Sequence, residues 1–126
     1  MADTAFSRSC RLLTASDYKN VFDKSQLKVS NRYFLVLATT NSSPTPRIGL
    51  VIAKKNVGKA VHRNRIKRLI RQSFRTQKSV LDKLDLVVLA RKDADKLENQ
   101  AIASLLTQLW QDLAKKLARI PTSVNQ

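Results

Sequence analysis

The spacing of apolar positions changes along this chain, and each change marks a different element. Tyr18, Val21 and Phe22 stand at i, i+3 and i+4 and share one face of a helix that runs to about Lys24. Thr14-Ala15-Ser16-Asp17 opens it with a hydroxyl N-cap and an acid three residues later, close to a capping box. Strands follow. Asn31 to Ala38 is rich in β-branched and aromatic residues and stops at the turn cluster Thr40-Asn41-Ser42-Ser43-Pro44. Arg47 to Ala53 and Leu84 to Ala90 are two further apolar runs, and Leu27-Lys28-Val29 is a short one. Both faces of these runs are apolar, so the sheet is expected to be covered at least partly on each side.

From Lys59 to about Gln77 the period becomes helical. Ile66, Leu69, Ile70, Ser73 and Phe74 gather on one side, with Asn64, Lys67, Arg68, Arg71 and Arg75 opposite. Arg65 falls beside this basic ridge, about 100° from Ile66, and is expected to stay out of the core. Strand, helix and strand in succession predict a crossover between parallel strands. The segment from about Glu98 to Ile120 repeats leucines at helical spacing around Trp110, which reads as packing. The expectation is one α+β domain in the order α-β-β-β-α-β-α: a flexible arm over 1–10, the domain over 11–120 and a tail over 121–126.

Charge narrows the possible partners. The 126 residues hold 24 Lys plus Arg against 9 Asp plus Glu, a formal +15. A domain this small repels itself at that charge unless a polyanion neutralises it. Membrane-surface binding calls for an exposed basic amphipathic helix with Trp or Phe on its apolar face, so nucleic acid is the better reading. Cys10 is the one cysteine, which excludes an intrachain disulfide and a Cys-rich zinc site. No apolar run is long enough to span a bilayer and the N-terminus lacks a secretion signal, so a cytoplasmic protein with no membrane partner is expected.

The basic stretch runs Lys54-Lys55-Asn56-Val57-Gly58-Lys59-Ala60-Val61-His62-Arg63-Asn64-Arg65-Ile66-Lys67-Arg68-Leu69-Ile70-Arg71. Solvated helix faces normally mix signs to form ion pairs. Here no acid occurs between Lys54 and Asp82. The helix start adds its own partial positive charge beside the lysines. This stretch closely resembles the signature of the bacterial ribonuclease P protein family. The likeness extends to Arg11-Leu12, Asp17-Tyr18, Val21-Phe22, Asn31-Arg32, Phe34, Arg47-Ile48-Gly49 and Ala90-Arg91-Lys92.

The resemblance implies the protein subunit of an enzyme that removes the 5′ leader of precursor tRNA by phosphodiester hydrolysis. In that family the RNA subunit carries the active site and holds the catalytic Mg²⁺. The protein binds no cofactor by itself and aids substrate binding. The implied fold is a ribosomal-protein-like RNA-binding sandwich with an unusual left-handed βαβ crossover. The implied contacts with the catalytic RNA are Arg63, Asn64, Arg65, Lys67, Arg68 and Arg71. Lys54, Lys55, Lys59 and Arg91 match positions lining a cleft for the leader, and Tyr18 and Phe22 match its aromatic residues. A strand position that can be aromatic in the family is Leu37 here; Tyr33, of the same strand parity, is the candidate replacement. No obligate protein partner is implied.

Blander readings stand beside these. Tyr18 and Phe22 are also what a helix would use to seal itself onto a sheet. His62 is read as a phosphate-side or solvent contact, since a lone histidine makes a poor acid–base pair. The acids from Asp93 to Glu98 fall where the last helix should begin and would complement its dipole. Catalysis by the protein alone would need paired histidines or clustered carboxylates, which the pattern does not offer. The alternative function is a non-enzymatic RNA-binding protein, either a ribosomal protein or an RNA chaperone. Sequence-specific DNA binding ranks behind both, because few Asn or Gln side chains accompany the cations for base-edge readout.

Overall fold

A computed structural model describes residues 14–40, 45–77, 81 and 84–119. In chain order the elements are α1 (Ala15–Lys24), β1 (Leu27–Ser30), β2 (Phe34–Thr40), β3 (Arg47–Val51), α2 (Ala60–Arg75), β4 (Leu84–Ala90) and α3 (Asn99–Ala118), with a 3-10 turn at Ala94–Lys96 before α3. The expected arm, the tail, Cys10, the Arg11-Leu12 match and most of the turn after Thr40 lie outside the described residues. The four strands form one sheet in the order β1-β2-β4-β3. β1, β2 and β4 pair antiparallel, and β3 runs parallel to β4, as the helical crossover requires.

Local chemistry sets the boundaries. Thr14 and Asp17 form the capping box reciprocally, each side chain accepting from the other's backbone N–H at 3.1 Å. β2 begins at Phe34 rather than Asn31, because Asn31 Oδ1 accepts from the N–H groups of both Tyr33 and Phe34 at 2.8 Å and holds them in a turn. β3 stops at Val51, short of Ala53, whose carbonyl accepts from Asn56 and Val57 N–H at 3.0 Å and bends the chain.

Strand alternation divides the side chains between two faces. Leu27, Val29, Phe34, Val36, Ala38, Ile48, Leu84, Leu86 and Val88 point to the larger core. There they meet Ile66, Ile70 and Phe74 of α2 and the Ile102 to Leu113 stripe of α3. Each such side chain, fully buried, contributes about 1.5–3 kcal/mol. Trp110 is sealed in this core. Its Nε1–H donates to Ser73 Oγ at 2.7 Å, and its ring meets Phe74 edge-on at 6.2 Å.

Among the described residues, the opposite face is covered by α1 alone. Asp17 lies 4.0 Å from Arg47 at one end of the sheet, Val21 packs on Val87, and Gln26 Oε1, just beyond the helix, accepts from Thr40 N–H at 3.0 Å. The phenol end of the Tyr18 ring lies against Gly49, where an added Cβ would come within 2.6 Å of it, and its hydroxyl accepts from Leu50 N–H at 3.3 Å. A glycine here is what lets the helix sit this close.

Beneath the start of α1, Arg47 and Asp85 face each other in register across the parallel pair. Arg47 Nε and Nη2 donate to the two carboxylate oxygens at 2.9 and 2.7 Å. Asp85 is only 2% exposed, and its hydrogen bond raises the pKa of Arg47 above the usual guanidinium value. Removing Arg47 takes the bidentate counter-charge away from a buried carboxylate, so Arg47→Met is expected to cost about 3 kcal/mol in thermal or urea unfolding. Arg47→Met combined with Asp85→Leu should recover most of that loss. Equal losses in the single and double variants would show that the pair is not what holds this end of the sheet.

Candidate nucleic-acid interface

Because β3 and β4 are parallel, they end side by side, and the segments that follow them share one edge. The turn after β3 carries Lys54 and Lys55, both exposed, and Asn56, whose Nδ2–H donates to the Ala90 carbonyl at the end of β4, 3.0 Å away. Arg91 follows directly and is exposed; its N–H donates to the Tyr33 carbonyl at 2.8 Å. Lys59 stands at the N-cap of α2 with no side-chain cap, and no acid occupies the first turn of the helix. The strand ends, the helix dipole and four cations therefore converge where an anion is favoured. Sequence spacing did not single out Asn56. Its role depends on a strand that starts 28 residues later.

On α2 the exposed stripe is Val61, Asn64, Arg68 and Gln72, with Lys67 and Arg71 half-buried on its flank. The two arginines around Asn64 are turned into the protein. Arg63 Nη1 donates to the carbonyls of Val57 and Gly58 at 3.1 and 2.9 Å. Arg65 Nε donates to Asn99 Oδ1 at 2.6 Å, Nη1 to the Asp95 carbonyl at 3.3 Å, and Nη2 to the Leu97 carbonyl. Arg65 is thus half-buried and ties α2 to the chain before α3. The helical wheel showed correctly that it is outside the core. A wheel cannot show which neighbouring backbone offers acceptors. A guanidinium has five N–H donors, so each arginine keeps donors for a second partner.

Two smaller expectations need correction. His62 does not simply face solvent or phosphate: its Nδ1 lies 2.8 Å from Asp95 Oδ2. Nor do the acids between Asp93 and Glu98 jointly start the last helix. Asp95 is engaged by His62 and Asp93 pairs with Lys96 at 3.1 Å, leaving Glu98 at the N-cap.

The second surface is the half-covered sheet face. α1 lies over the rows Arg47–Asp85–Thr39 and Gly49–Val87–Leu37, leaving the next row, Val51–Leu89–Leu35–Ser30, partly open. Three strand gaps make this row about 14 Å wide. Asp17 is on one flank of α1, toward Arg47. Tyr18 and Phe22 are on the other, toward the open row. Phe22 is 43% exposed, whereas Tyr18 is half-buried by its contact with Gly49. Leu37 packs beside Val21 and Val87 under the helix. Tyr33 does not join it. The residue precedes β2, its ring packs against the larger core, and Arg32 lies over that ring at 5.6 Å. Parity argued from a strand did not apply to a residue held in the Asn31 turn. The floor residues Leu35, Leu89 and Val51 were missed because register, not alternation alone, brings them into one row.

Among the described residues, no three His, Cys, Asp or Glu side chains come together as metal ligands. Asp85 is committed to Arg47, Asp17 to the capping box and Asp95 to His62. What the two surfaces present is cations, backbone N–H groups and partly open apolar side chains, all of them groups suited to binding.

Known proteins resemble this chain in sequence and in fold. The sequence model of the Ribonuclease P family matches residues 6–114. The ribonuclease P protein component of Chromohalobacter salexigens is 45% identical over 119 residues, 94% of this chain and 93% of that protein. Among solved structures, a Staphylococcus aureus RNase P protein mutant with defective mRNA degradation activity superposes with a TM-score of 0.77 at 31% identity, covering 83% of this chain and 88% of that one. The RNase P protein from Thermotoga maritima gives 0.69 at 32% identity, covering 80% and 96%. With its basic crossover helix, strand-end cations and half-open sheet face, this chain belongs to the ribonuclease P protein family.

Proposed function

We propose that this chain works in the cytoplasm as the protein subunit of ribonuclease P, holding the catalytic RNA with α2 and the 5′ leader of precursor tRNA in the cleft beside α1. The observation that carries this reading is the pair of distinct surfaces meeting at one edge. A cationic helix face leads, through Lys59, Lys55, Lys54 and Arg91, to an apolar floor with an exposed ring above it. The ridge suits a phosphate backbone. The floor and Phe22 suit unpaired bases, which stack on aromatic faces without regard to sequence. Hydrolysis is assigned to the RNA, which would hold the Mg²⁺ and with it the Lewis-acid chemistry that phosphodiester cleavage requires. The protein's part is to neutralise phosphates and hold the leader in place, which lowers the Mg²⁺ needed for assembly.

Reconstitution tests this directly. Protein, a ribonuclease P RNA and precursor tRNA together at low Mg²⁺ should release the leader, whereas protein alone should release nothing. Absence of any stimulation by the protein would favour a non-enzymatic RNA-binding role.

Three further outcomes are expected. First, if about six cations neutralise phosphates, assembly with the catalytic RNA should follow a log–log salt slope of roughly −4 to −5, and Arg68→Ala should make it shallower by about one. A slope near zero would remove the electrostatic role of α2. Second, Arg65→Ala should lower thermal stability by about 1–2 kcal/mol through its lost carbonyl bonds, whereas Asn64→Ala should stay within about 0.5 kcal/mol and still weaken assembly. Unchanged melting of the Arg65 variant would show that its bonds to the α3 approach do not persist in solution. Third, Phe22→Ala should weaken holoenzyme binding of precursor tRNA about ten-fold, taking a stacked base at about 1–3 kcal/mol, without affecting mature tRNA or melting. Tyr18→Ala should also lower stability, because its ring packs on Gly49. Equal losses for precursor and mature tRNA with Phe22→Ala would mean that the ring does not meet the leader.

A further inference from the structure

The open row of the cleft ends at Ser30 on β1, the edge strand farthest from β3. Around that edge lies a groove of about 520 Å³ between β1 and the last turn of α3, lined by Lys28, Ser30, Asp112, Lys115, Lys116 and Arg119. Four cations face one carboxylate there, and Asp112 Oδ1 already accepts from Gln108 Nε2 at 3.1 Å. Lys116 has a structural task. Its Nζ donates to the outward-facing Lys28 carbonyl at 2.7 Å, closing the strand edge and pinning α3 to it. Lys28, Lys115 and Arg119 remain exposed, and among the described residues none of them pairs with a carboxylate.

We propose that this groove is a second phosphate-backbone subsite, taking the 5′-distal part of a single-stranded leader after it has crossed the cleft. Cations in the last turn of α3 have an ordinary explanation as partners of the helix dipole. Lys28 does not, because it comes from a strand. It stands in register with Leu37 on the cleft side, so it belongs to the cleft margin and to the groove at once. Among the described residues the lining's one aliphatic side chain, Val29, is buried in the larger core, so it offers a protein partner or a lipid surface no apolar side chain to bury. What it presents is a shallow strip of positive charge continuous with the floor assigned to the leader. The polarity follows from the layout. Nucleotides next to the cleavage point lie at the Lys54, Lys55 and Arg91 edge beside α2, and distal ones leave across β1.

This inference rests on the cleft reading, and leader length separates the two. The holoenzyme reconstituted with catalytic RNA is titrated with mature tRNA and with precursors carrying leaders of about three and about twelve nucleotides, spanning the usual reach of a single-strand site. The triple variant Lys28→Ala/Lys115→Ala/Arg119→Ala should lose about five- to ten-fold in affinity for the long leader, with a salt slope shallower by about two. It should bind the short leader and mature tRNA as the parent does. The double variant Lys115→Ala/Arg119→Ala, which leaves the sheet untouched, should show a smaller loss in the same direction. Phe22→Ala should weaken both leader lengths. Parental affinity of the triple variant for the long leader, with Phe22→Ala still impaired, would overturn the groove and spare the cleft. A loss shared by mature tRNA, or by assembly itself, would overturn it in favour of the tRNA body or the catalytic RNA. Indifference of the parent to leader length, with Phe22→Ala silent, would overturn both.

Discussion

The parallel pairing of β3 with β4 is the constraint on which the remaining architecture depends. Two neighbouring strands that run the same way cannot be joined by a hairpin, so the chain must leave the sheet and return through a covering element. Here that element is α2. Its Ile66, Ile70 and Phe74 stripe must bury against the sheet, which fixes the helix's rotation and leaves Asn64, Lys67 and Arg68 outward. The same pairing brings the turn after β3 and the residue after β4 to one edge, so cations far apart in sequence become neighbours. Once β4 is flanked by β2 and β3, β1 is left at the opposite margin, where α3 and Lys116 close it.

A domain carrying +15 has to hold its cations near one another before any polyanion arrives. On α2 and at the β1 edge the molecule does so with backbone carbonyls. Arg63 and Arg65 spend donors on carbonyls before and beyond α2, Asn56 bridges to the end of β4, and Lys116 bonds to β1. A carbonyl steers a guanidinium without cancelling its charge, so the face keeps its attraction for phosphate while losing conformational freedom in advance of binding. The fully buried acid, Asp85, follows the other rule. Away from water it needs a full counter-charge, and Arg47 supplies one in bidentate geometry.

The two sheet faces show how function is accommodated in a small core. One face is sealed by two helices. Among the described residues the other is covered by α1 alone, a single helix lying across the strands over two rows of side chains, and the next row is where an apolar floor remains accessible. Gly49 matters because it lets the Tyr18 ring settle onto the backbone, bringing α1 close enough for Phe22 to stand at the margin of that row.

Element types and order, the capping box, the buried stripe of α2 and the position of Trp110 were all legible in the sequence, because each rests on local periodicity or on neighbours within four residues. The family was legible for a similar reason, since its signature is contiguous from Lys54 to Arg71. Other features required tertiary structure: the floor row of Val51, Leu89, Leu35 and Ser30, the bridge from Asn56, the inward turn of Arg65, the attachment of His62 to Asp95 and the separation of Tyr33 from Leu37. Each depends on strand register or on a hydrogen-bond acceptor tens of residues away. Periodicity identifies which face of an element a side chain occupies. Only the packing of one element against another determines what that face meets.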